Sequence, residues 1–238
     1  MLFMFLLNLE RRIRYPMANK PTNQKPNRLI LIKRYAFSVI NLYGVIKLED
    51  FISVFNHYEK ESISKEEAIP LLELLSSINE IDLSFKQGIL ANDYFYLNDT
   101  KDVRVAKDLL IVQSNKPRYL PSKEEFLKYE DDEYVEPMKP LLDLEKFIKA
   151  NNLVVIRRPE DIRYDVLEIH DRIIMGGKPS DYMGYINKRG YQFIDEVQLN
   201  LFVGLTMILH NNTRMYENNG HTPIEIRELY EESHKPIN

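Results

Sequence analysis

The segment NNGHTPIEI, residues 218–226, carries a glycine, an imidazole, a hydroxyl and a carboxylate within six consecutive positions. Histidine and glutamate are common proton carriers in enzymes, so acid–base chemistry is one interpretation. A structural interpretation accounts for more of the residues. Thr222 fits a helix N-cap, Pro223 the first helical position and Glu225 the third, which together make a capping box. With Gly220 as the C′ glycine of a preceding helix ending near Asn218, we favour a corner between two helices.

His170 and Asp171 form a doublet on a predicted helix, as in the helical metal-dependent phosphohydrolases. One histidine and one aspartate cannot hold a catalytic metal, and no histidine occurs between residues 58 and 169. An enzyme of this class therefore remains a third hypothesis. The acidic run YEDDEYVE, residues 129–136, lacks the D-x-D-x-D-G spacing of a calcium loop and fits a solvated face.

The segment GGKPS, residues 176–180, has the composition of a phosphate-binding loop. A P-loop needs a glycine five positions before Gly177, where this sequence has Arg172, and Pro179 lacks an N–H donor. We favour a helix end followed by a new helix with Ser180 as its N-cap. The histidines show no metal-ligand spacing, so we predict no metal and no cofactor.

Composition narrows the class of protein. An apolar content of 44% and a charged content of 29% are typical of globular chains. The absence of cysteine excludes disulfides and thiolate catalysis, and we expect a cytoplasmic protein. The net charge of −4 is uneven, because residues 1–34 carry +7 and the remainder −11. A basic arm on an acidic body suggests an anionic partner for the arm, with a solvated tail as the alternative.

The first nine residues, MLFMFLLNL, are mostly apolar but too few to cross a bilayer, so no transmembrane segment is predicted. Arginines follow this stretch rather than precede it, which argues against a secretory signal. The residues Glu10-Arg11-Arg12 can be encoded by GAAAGGAGG, a strong ribosome-binding sequence. We therefore expect translation to start at Met17, with residues 1–16 untranslated.

Residues 29–113 predict a winged-helix-like domain, preceded by a disordered basic arm at 1–28. Helical periodicity from Leu29 ends at Gly44, a short strand follows at 45–46, and a helix covers 48–59. Ser64 and Glu67 form a capping box that opens a third helix, ending near Ser77 with Pro70 inside it. Two β-like runs within 81–97 predict a hairpin whose loop is GILAND, residues 88–93. A fourth helix is expected at 103–113.

Residues 114–121 contain two prolines and predict a linker, and 122–238 predict an all-α domain. Ser122 and Glu125 form a second capping box. Further helices are expected at 139–150, 160–174, 180–187 and 191–216. The segment LNLFVGLTMIL, residues 199–209, is apolar nearly all round and predicts a buried central helix. The fold class is thus mainly α with a small β-hairpin, or α+β.

Nucleic-acid binding is the alternative function that the winged-helix-like order suggests, since such domains often place the third helix in the major groove. Here the third helix carries a net charge of −2, which repels phosphate. Contacts would instead come from the arm, the first helix and the wing. The candidate residues are Lys20, Lys25, Arg28, Lys33, Arg34 and Lys86.

Three segments resemble a group of Firmicutes proteins of unknown function: NLYGVI (41–46), KPRYLPSKEEFLKYEDDEYVE (116–136) and NNTRMYENNGHTPIEI (211–226). The resemblance covers most of residues 35–230. Members often continue into a SEC-C motif, a Cys-rich zinc tail, but this sequence has no cysteine, so zinc and ribosome contacts are not carried over. The resemblance implies no catalytic residues. The positions that match the family pattern, with an expected structural role, are Asn212, Arg214, Gly220, Thr222, Pro223 and Glu225.

These observations favour a non-catalytic interaction or regulatory module with a protein partner. The second hypothesis is a DNA- or RNA-associated regulator that uses the basic arm and the wing.

Overall fold

The computed structural model describes residues 28–78, 82–95, 103–155, 158 and 160–233. Over these residues the chain is mainly helical with one three-stranded antiparallel sheet, as the α+β prediction requires. None of the described helices combines the length and the apolar content that crossing a bilayer demands. The first elements are α1 (Arg28–Tyr43), β1 (Val45–Lys47), α2 (Leu48–Tyr58), α3 (Lys65–Ser76), β2 (Leu83–Lys86) and β3 (Ile89–Asn92).

Gly44 ends α1 in the left-handed conformation, with φ of +76°. Its N–H donates to the carbonyl of Ile40 at 2.9 Å, and the chain turns directly into β1. A Cβ at this position would lie 2.8 Å from Cγ of Tyr216, so glycine is required here for space as well as for conformation. The predicted helix end and the short strand after it are confirmed.

The starts of α2 and α3 follow local chemistry. Glu49 and Asp50 lie in the first turn of α2, where carboxylates interact favourably with the helix dipole. The hydroxyl of Ser64 accepts a hydrogen bond from the N–H of Glu67 at 3.4 Å and opens α3. The Glu67 carboxylate binds Arg28 at 2.7 Å, which ties the start of α1 to the start of α3. Pro70 lies inside α3 without ending it.

The hairpin is confirmed, but its predicted loop was misplaced. The loop consists only of Gln87 and Gly88, both with positive φ, of 53° and 72°. Residues 89–92, which we assigned to the loop, form β3, the central strand of the order β1-β3-β2. Two-residue loops with two left-handed residues match the twist of paired strands, which explains why the strands continue up to the turn.

The first core lies between α1, α2, α3 and the sheet, and it extends beyond the segment 114–121. Phe126 is completely buried in it and stacks on Tyr58, with ring centroids 4.9 Å apart. Tyr35 contacts Phe55 edge to face at 4.8 Å in the same core. Three elements link this core to the rest of the chain: α4 (Arg104–Gln113), α5 (Lys123–Phe126) and the 3₁₀ helix Leu127–Glu130.

The second core is formed by helices and begins after the acidic run. Its buried members include Leu144, Ile148, Val166 and Ile169. The helices after the acidic run are α6 (Lys139–Asn151), α7 (Asp161–Ile174), α8 (Pro179–Lys188), α9 (Glu196–Asn212) and α10 (Pro223–Ser233).

Two predictions about helix ends were wrong. The predicted helix 191–216 is shorter, because Asp195 caps α9 by accepting a hydrogen bond from the N–H of Gln198 at 2.7 Å. At the other end, Thr213 is extended and lies outside α9. Helix α8 begins at Pro179 rather than after Ser180, since proline at the first position needs no N–H acceptor.

The prediction of a buried central helix at 199–209 was wrong for one side of α9. Its inner face buries Phe202, Thr206 and Leu209. Its outer face remains exposed to solvent although it is apolar.

A buried carboxylate organises the contact between α7 and α8. Asp165 is completely buried and accepts hydrogen bonds from Nε of Arg189 at 2.6 Å, the hydroxyl of Tyr185 at 2.7 Å and the hydroxyl of Tyr191 at 3.1 Å. Burial, and then the neighbouring carboxylate, raise the pKa values of both phenols well above the usual range. The two hydroxyls therefore stay protonated and donate to Asp165.

We expect Asp165→Asn to lower the free energy of unfolding by about 2–3 kcal/mol, because the guanidinium of Arg189 would lose its countercharge. Urea unfolding followed by circular dichroism measures the change. The exposed Asp132 provides a matched control, and Asp132→Asn should leave the free energy unchanged within about 0.5 kcal/mol. Equal effects of the two substitutions would contradict the role assigned to Asp165.

Candidate functional site

A solvent-open groove of about 890 Å³ lies between α2, α3, the hairpin and α4. The hairpin turn is held at the start of α2, because the N–H of Leu48 donates to the carbonyl of Gly88 at 2.9 Å. Helix α4 packs against β1 and closes the other side. The groove therefore depends on the two-residue turn, which brings β2 and β3 close to both helices.

The floor of the groove is apolar. Ile69 of α3, Phe85 of β2, Ile89 of β3 and Leu110 of α4 contribute to it. Ile111 extends the apolar surface at the edge, where 70% of the residue is exposed. Apolar residues from four elements thus converge on one open concave surface, which is typical of a binding site.

The rim of the groove is charged and carries one net positive charge, from three lysines and two glutamates. Lys65 pairs with Glu49 across the rim at 3.2 Å. The backbone N–H of Glu49, and then Lys65, lower the pKa of the Glu49 carboxyl. Apart from this pair, the charged residues of the rim are Lys47, Lys107 and Glu73, which sum to one positive charge. The net charge of the rim is therefore opposite in sign to that of the whole chain.

The polar side chains of the lining are those of three lysines, two glutamates, one glutamine and one serine. The lining residues include no histidine and no aspartate, and the only hydroxyl, on Ser114, donates to the carbonyl of Ile111 at 2.8 Å. A nucleophile needs an adjacent general base, and among the described residues this hydroxyl is hydrogen-bonded to a backbone carbonyl and not to a carboxylate or amine of the rim.

The structure describes four of the six residues predicted to contact nucleic acid, Arg28, Lys33, Arg34 and Lys86. Nε of Arg28 binds Glu67, and its guanidinium lies 5.1 Å from the ring centroid of Phe55. Nε of Arg34 donates to Glu130 at 2.6 Å, within the acidic run. Two of the six candidate cations are therefore neutralised by carboxylates.

The other four candidates are placed as follows. Nζ of Lys33 lies 5.6 Å from the ring centroid of Phe37, on the partly exposed side of α1. Lys86 lies at the end of β2 and is half-buried. Lys20 and Lys25 lie outside the described residues.

The side chain of Arg214 makes the central contacts of the segment 211–226. The Arg214 side chain is only 12% exposed. Its Nε donates to Glu136 at 2.9 Å, its Nη1 donates to Glu225 at 2.8 Å and to the carbonyl of Gly220 at 3.1 Å, and its guanidinium lies 3.5 Å from the ring centroid of Tyr119. One guanidinium thus joins three separate parts of the chain.

The predicted capping box at the start of α10 is confirmed. The N–H of Glu225 donates to Oγ1 of Thr222 at 3.1 Å, and the N–H of Thr222 donates to Oε2 of Glu225 at 3.0 Å. Pro223 is the first residue of α10, and Asn212 is the last residue of α9. Gly220 has positive φ, but it follows the 3₁₀ helix Tyr216–Asn218 and is not the C′ residue of α9 as predicted.

The segment after Arg214 also forms hydrogen bonds with the C-terminal end of α4. Nδ2 of Asn219 donates to the carbonyls of Gln113 at 3.0 Å and Lys116 at 2.7 Å. Nε2 of Gln113 in turn donates to the carbonyls of Tyr43 at 2.8 Å and Tyr216 at 2.7 Å. This junction therefore connects the end of α1, the end of α4 and the C-terminal segment.

The remaining motifs are the His170–Asp171 doublet, which lies in α7, and the GGKPS segment, which follows α7. His170 is buried in α7, with its Nδ1 3.7 Å from Asp171. Across the described residues no three His, Cys, Asp or Glu side chains are grouped so that they could hold a metal ion. In the GGKPS segment, the N–H of Gly177 donates to the carbonyl of Arg172 at 2.8 Å, which is a helix C-terminal contact.

The groove is not predicted by the sequence. Its residues come from four separate segments between Lys47 and Ser114, and no local pattern links them. A local indication of an exposed apolar surface lies in α4. Its sequence RVAKDLLIVQ mixes polar and apolar residues, and the apolar Ile111 and Val112 are exposed.

Comparisons with known proteins give no family for this chain. No protein-family model matches it, and no curated protein and no solved structure is significantly similar to it.

The pKa of Glu225 yields a pH-dependent prediction. Burial would raise it, but hydrogen bonds with His221 and Thr222 and the charge of Arg214 lower it from 4.5 to about 2. A carboxyl whose pKa is lower in the folded state stabilises the protein above its unfolded-state pKa. That contribution is lost as the pH falls from about 4.5 towards about 2.

We expect Glu225→Gln to lower the free energy of unfolding at pH 7 by about 1–2 kcal/mol, a value reduced for partial exposure to solvent. The difference from the unsubstituted chain should shrink as the pH falls below about 4.5. Urea titrations between pH 7 and pH 3 measure it, with Glu228→Gln on the exposed side of α10 as control. A difference that stays constant over this range would rule out the proposed ionic contribution.

Proposed function

We propose that this chain is a non-catalytic protein-interaction module in which the groove binds an apolar segment of a partner protein flanked by carboxylates. The observation that carries the proposal is the combination of an apolar floor with a lysine-rich rim. The absence of cysteine is consistent with a cytoplasmic setting, which we include in the proposal.

The openness of the groove favours a polypeptide over a small molecule. Small-molecule sites bury most of the ligand surface within a cleft. Here Ile111 is largely exposed at the edge, so a bound molecule must extend over the rim to cover it. An amphipathic helix laid into an apolar groove is a common way to achieve such coverage.

The charges define the flanks of the partner segment. Lys47 and Lys107 lie on the rim, and Nζ of Lys107 is held towards the turn by a hydrogen bond to Gln87 at 3.1 Å. Carboxylates on the partner would face these ammonium groups, whereas basic flanks would oppose them. The expected ligand therefore has apolar residues at helical spacing with acidic residues beside them.

A nucleic-acid-associated regulator is the second candidate. The order α1-β1-α2-α3-β2-β3, with β3 in the centre of the sheet, is the element order of a winged helix, and this observation supports it. Fluorescence anisotropy of a random-sequence DNA duplex, at about 50 and 200 mM salt, separates it from the first. Tight binding that weakens steeply with salt supports this candidate, and no binding at low salt contradicts it.

Selection from a displayed library of random 16-residue peptides against the full chain tests the groove. We expect acidic, apolar peptides whose affinity, measured by fluorescence anisotropy, falls at least tenfold with Ile111→Glu, because a carboxylate would replace apolar contact at the edge. The neighbouring Val112 is 49% exposed and does not line the groove, so Val112→Glu is the matched control. Peptides that lose affinity equally with both variants would contradict the assignment.

A second variant tests the charge of the rim. Lys107→Glu should weaken acidic peptides severalfold and should strengthen variants of the same peptides in which the acids are replaced by lysine. Peptides that are indifferent to Lys107 would contradict the proposed acidic flanks.

A further inference from the structure

The outer side of α9 is an apolar face that the fold leaves open. We define the α9 face as Val197, Leu201, Gly204 and Ile208, which recur at helical spacing on one side of the helix. The three large residues are exposed by 67%, 56% and 51%. Gly204 lies between them with no atom within 4 Å of the position that a Cβ would occupy. None of these residues lines the groove.

Charge does not explain why this side is exposed. No charged residue occurs between Val197 and Leu209, although both ends of the helix carry ionisable groups, Glu196 and His210. A surface helix usually places charged residues on its outer side. The outer side of α9 therefore carries no charge between these ends, and Asn200 is the one exposed polar residue of 197–209.

The spacing of the α9 face is the same in both directions. Its steps are four, three and four residues, so reversing the helix exchanges Val197 with Ile208 and Leu201 with Gly204. In an antiparallel pair, the large Leu201 of one helix meets the open space at Gly204 of the other. A parallel pair would instead place leucine against leucine and glycine against glycine, which leaves a gap and brings the helix dipoles into the same direction.

We propose that the α9 face is the interface of a two-fold symmetric dimer, in which α9 packs antiparallel against α9 of a second copy of this chain. The exchange of Leu201 with the open position at Gly204 assigns the face to a second copy, because a closed isologous contact requires one patch to fit itself. An uncharged face also matches its own copy without any repulsion between like charges.

The dimer should be weak and reversible. A contact confined to one helix is smaller than the roughly 800 Å² per partner of a standard interface. We expect a dissociation constant on the order of 10 µM.

Sedimentation equilibrium of the full chain, from about 1 to about 500 µM, tests the dimer over a range that brackets this constant. We expect a shift from monomer to dimer that Leu201→Glu abolishes. Leu74 on α3 is 49% exposed, so Leu74→Glu is the matched control and should still dimerise. A full chain that stays monomeric at the highest concentration overturns the proposal.

The variant Gly204→Leu tests whether dimerisation depends on the shape of the α9 face or on its hydrophobicity. A Cβ at this position meets no atom within 4 Å, and leucine has a higher helix propensity than glycine, so the unfolding midpoint of the monomer should not fall. It fills the space that Leu201 of the other copy needs, so the dissociation constant should rise at least tenfold although the face becomes more apolar. Unchanged or tighter association would overturn the proposed fit.

Cysteine cross-linking tests the direction of the helices, and the native chain contains no cysteine to interfere. Val197→Cys combined with Ile208→Cys should give disulfide-linked dimers under mild oxidation. Val197→Cys alone should not, because the two copies of residue 197 lie about 16 Å apart along the axis of an antiparallel pair. Efficient cross-linking of the single variant would overturn the antiparallel arrangement.

Discussion

The guanidinium of Arg214 is the interaction on which the joining of the two cores depends. It is nearly enclosed, and a buried charge is tolerated only where countercharges and hydrogen bonds replace water. Glu136 follows the first core, Glu225 opens α10, and Tyr119 belongs to the segment that leaves α4. These partners cannot be supplied by one core alone, so the charge is satisfied only when both parts of the chain have folded and met.

Close packing adds a second constraint at the same junction. A Cβ on Gly220 would lie 3.0 Å from side-chain atoms of Leu42 and Tyr43, and a Cβ on Gly44 would overlap Tyr216. The two glycines permit the end of α1 and the C-terminal segment to approach each other. Carbonyls brought together there are satisfied by the amides of Gln113 and Asn219. Since α4 ends at Gln113, the position of one groove wall is determined by this junction.

Local chemistry accounts for most of what the sequence could predict. The glycine end of α1 and the capping box of Thr222 and Glu225 each involve residues within a few positions, and both are present. The hairpin loop was misplaced because Asn92 and Asp93 are typical turn residues, whereas the pair Gln87-Gly88 is a weaker signal. The groove could not be predicted, because its walls meet through long-range contacts, which are the packing of α4 on β1 and the contact of the hairpin turn with the start of α2.

The two exposed apolar surfaces, the groove and the α9 face, differ in charge. Apolar periodicity predicts that a residue is covered, but it does not say whether the cover belongs to the same chain. The groove has lysines on its rim, so electrostatics can select among apolar partners. The α9 face has no charges with which to discriminate, and only shape remains. When the helix is reversed, Leu201 of one copy faces the open position at Gly204 of the other. The partner whose shape matches the α9 face best is therefore a second copy of it.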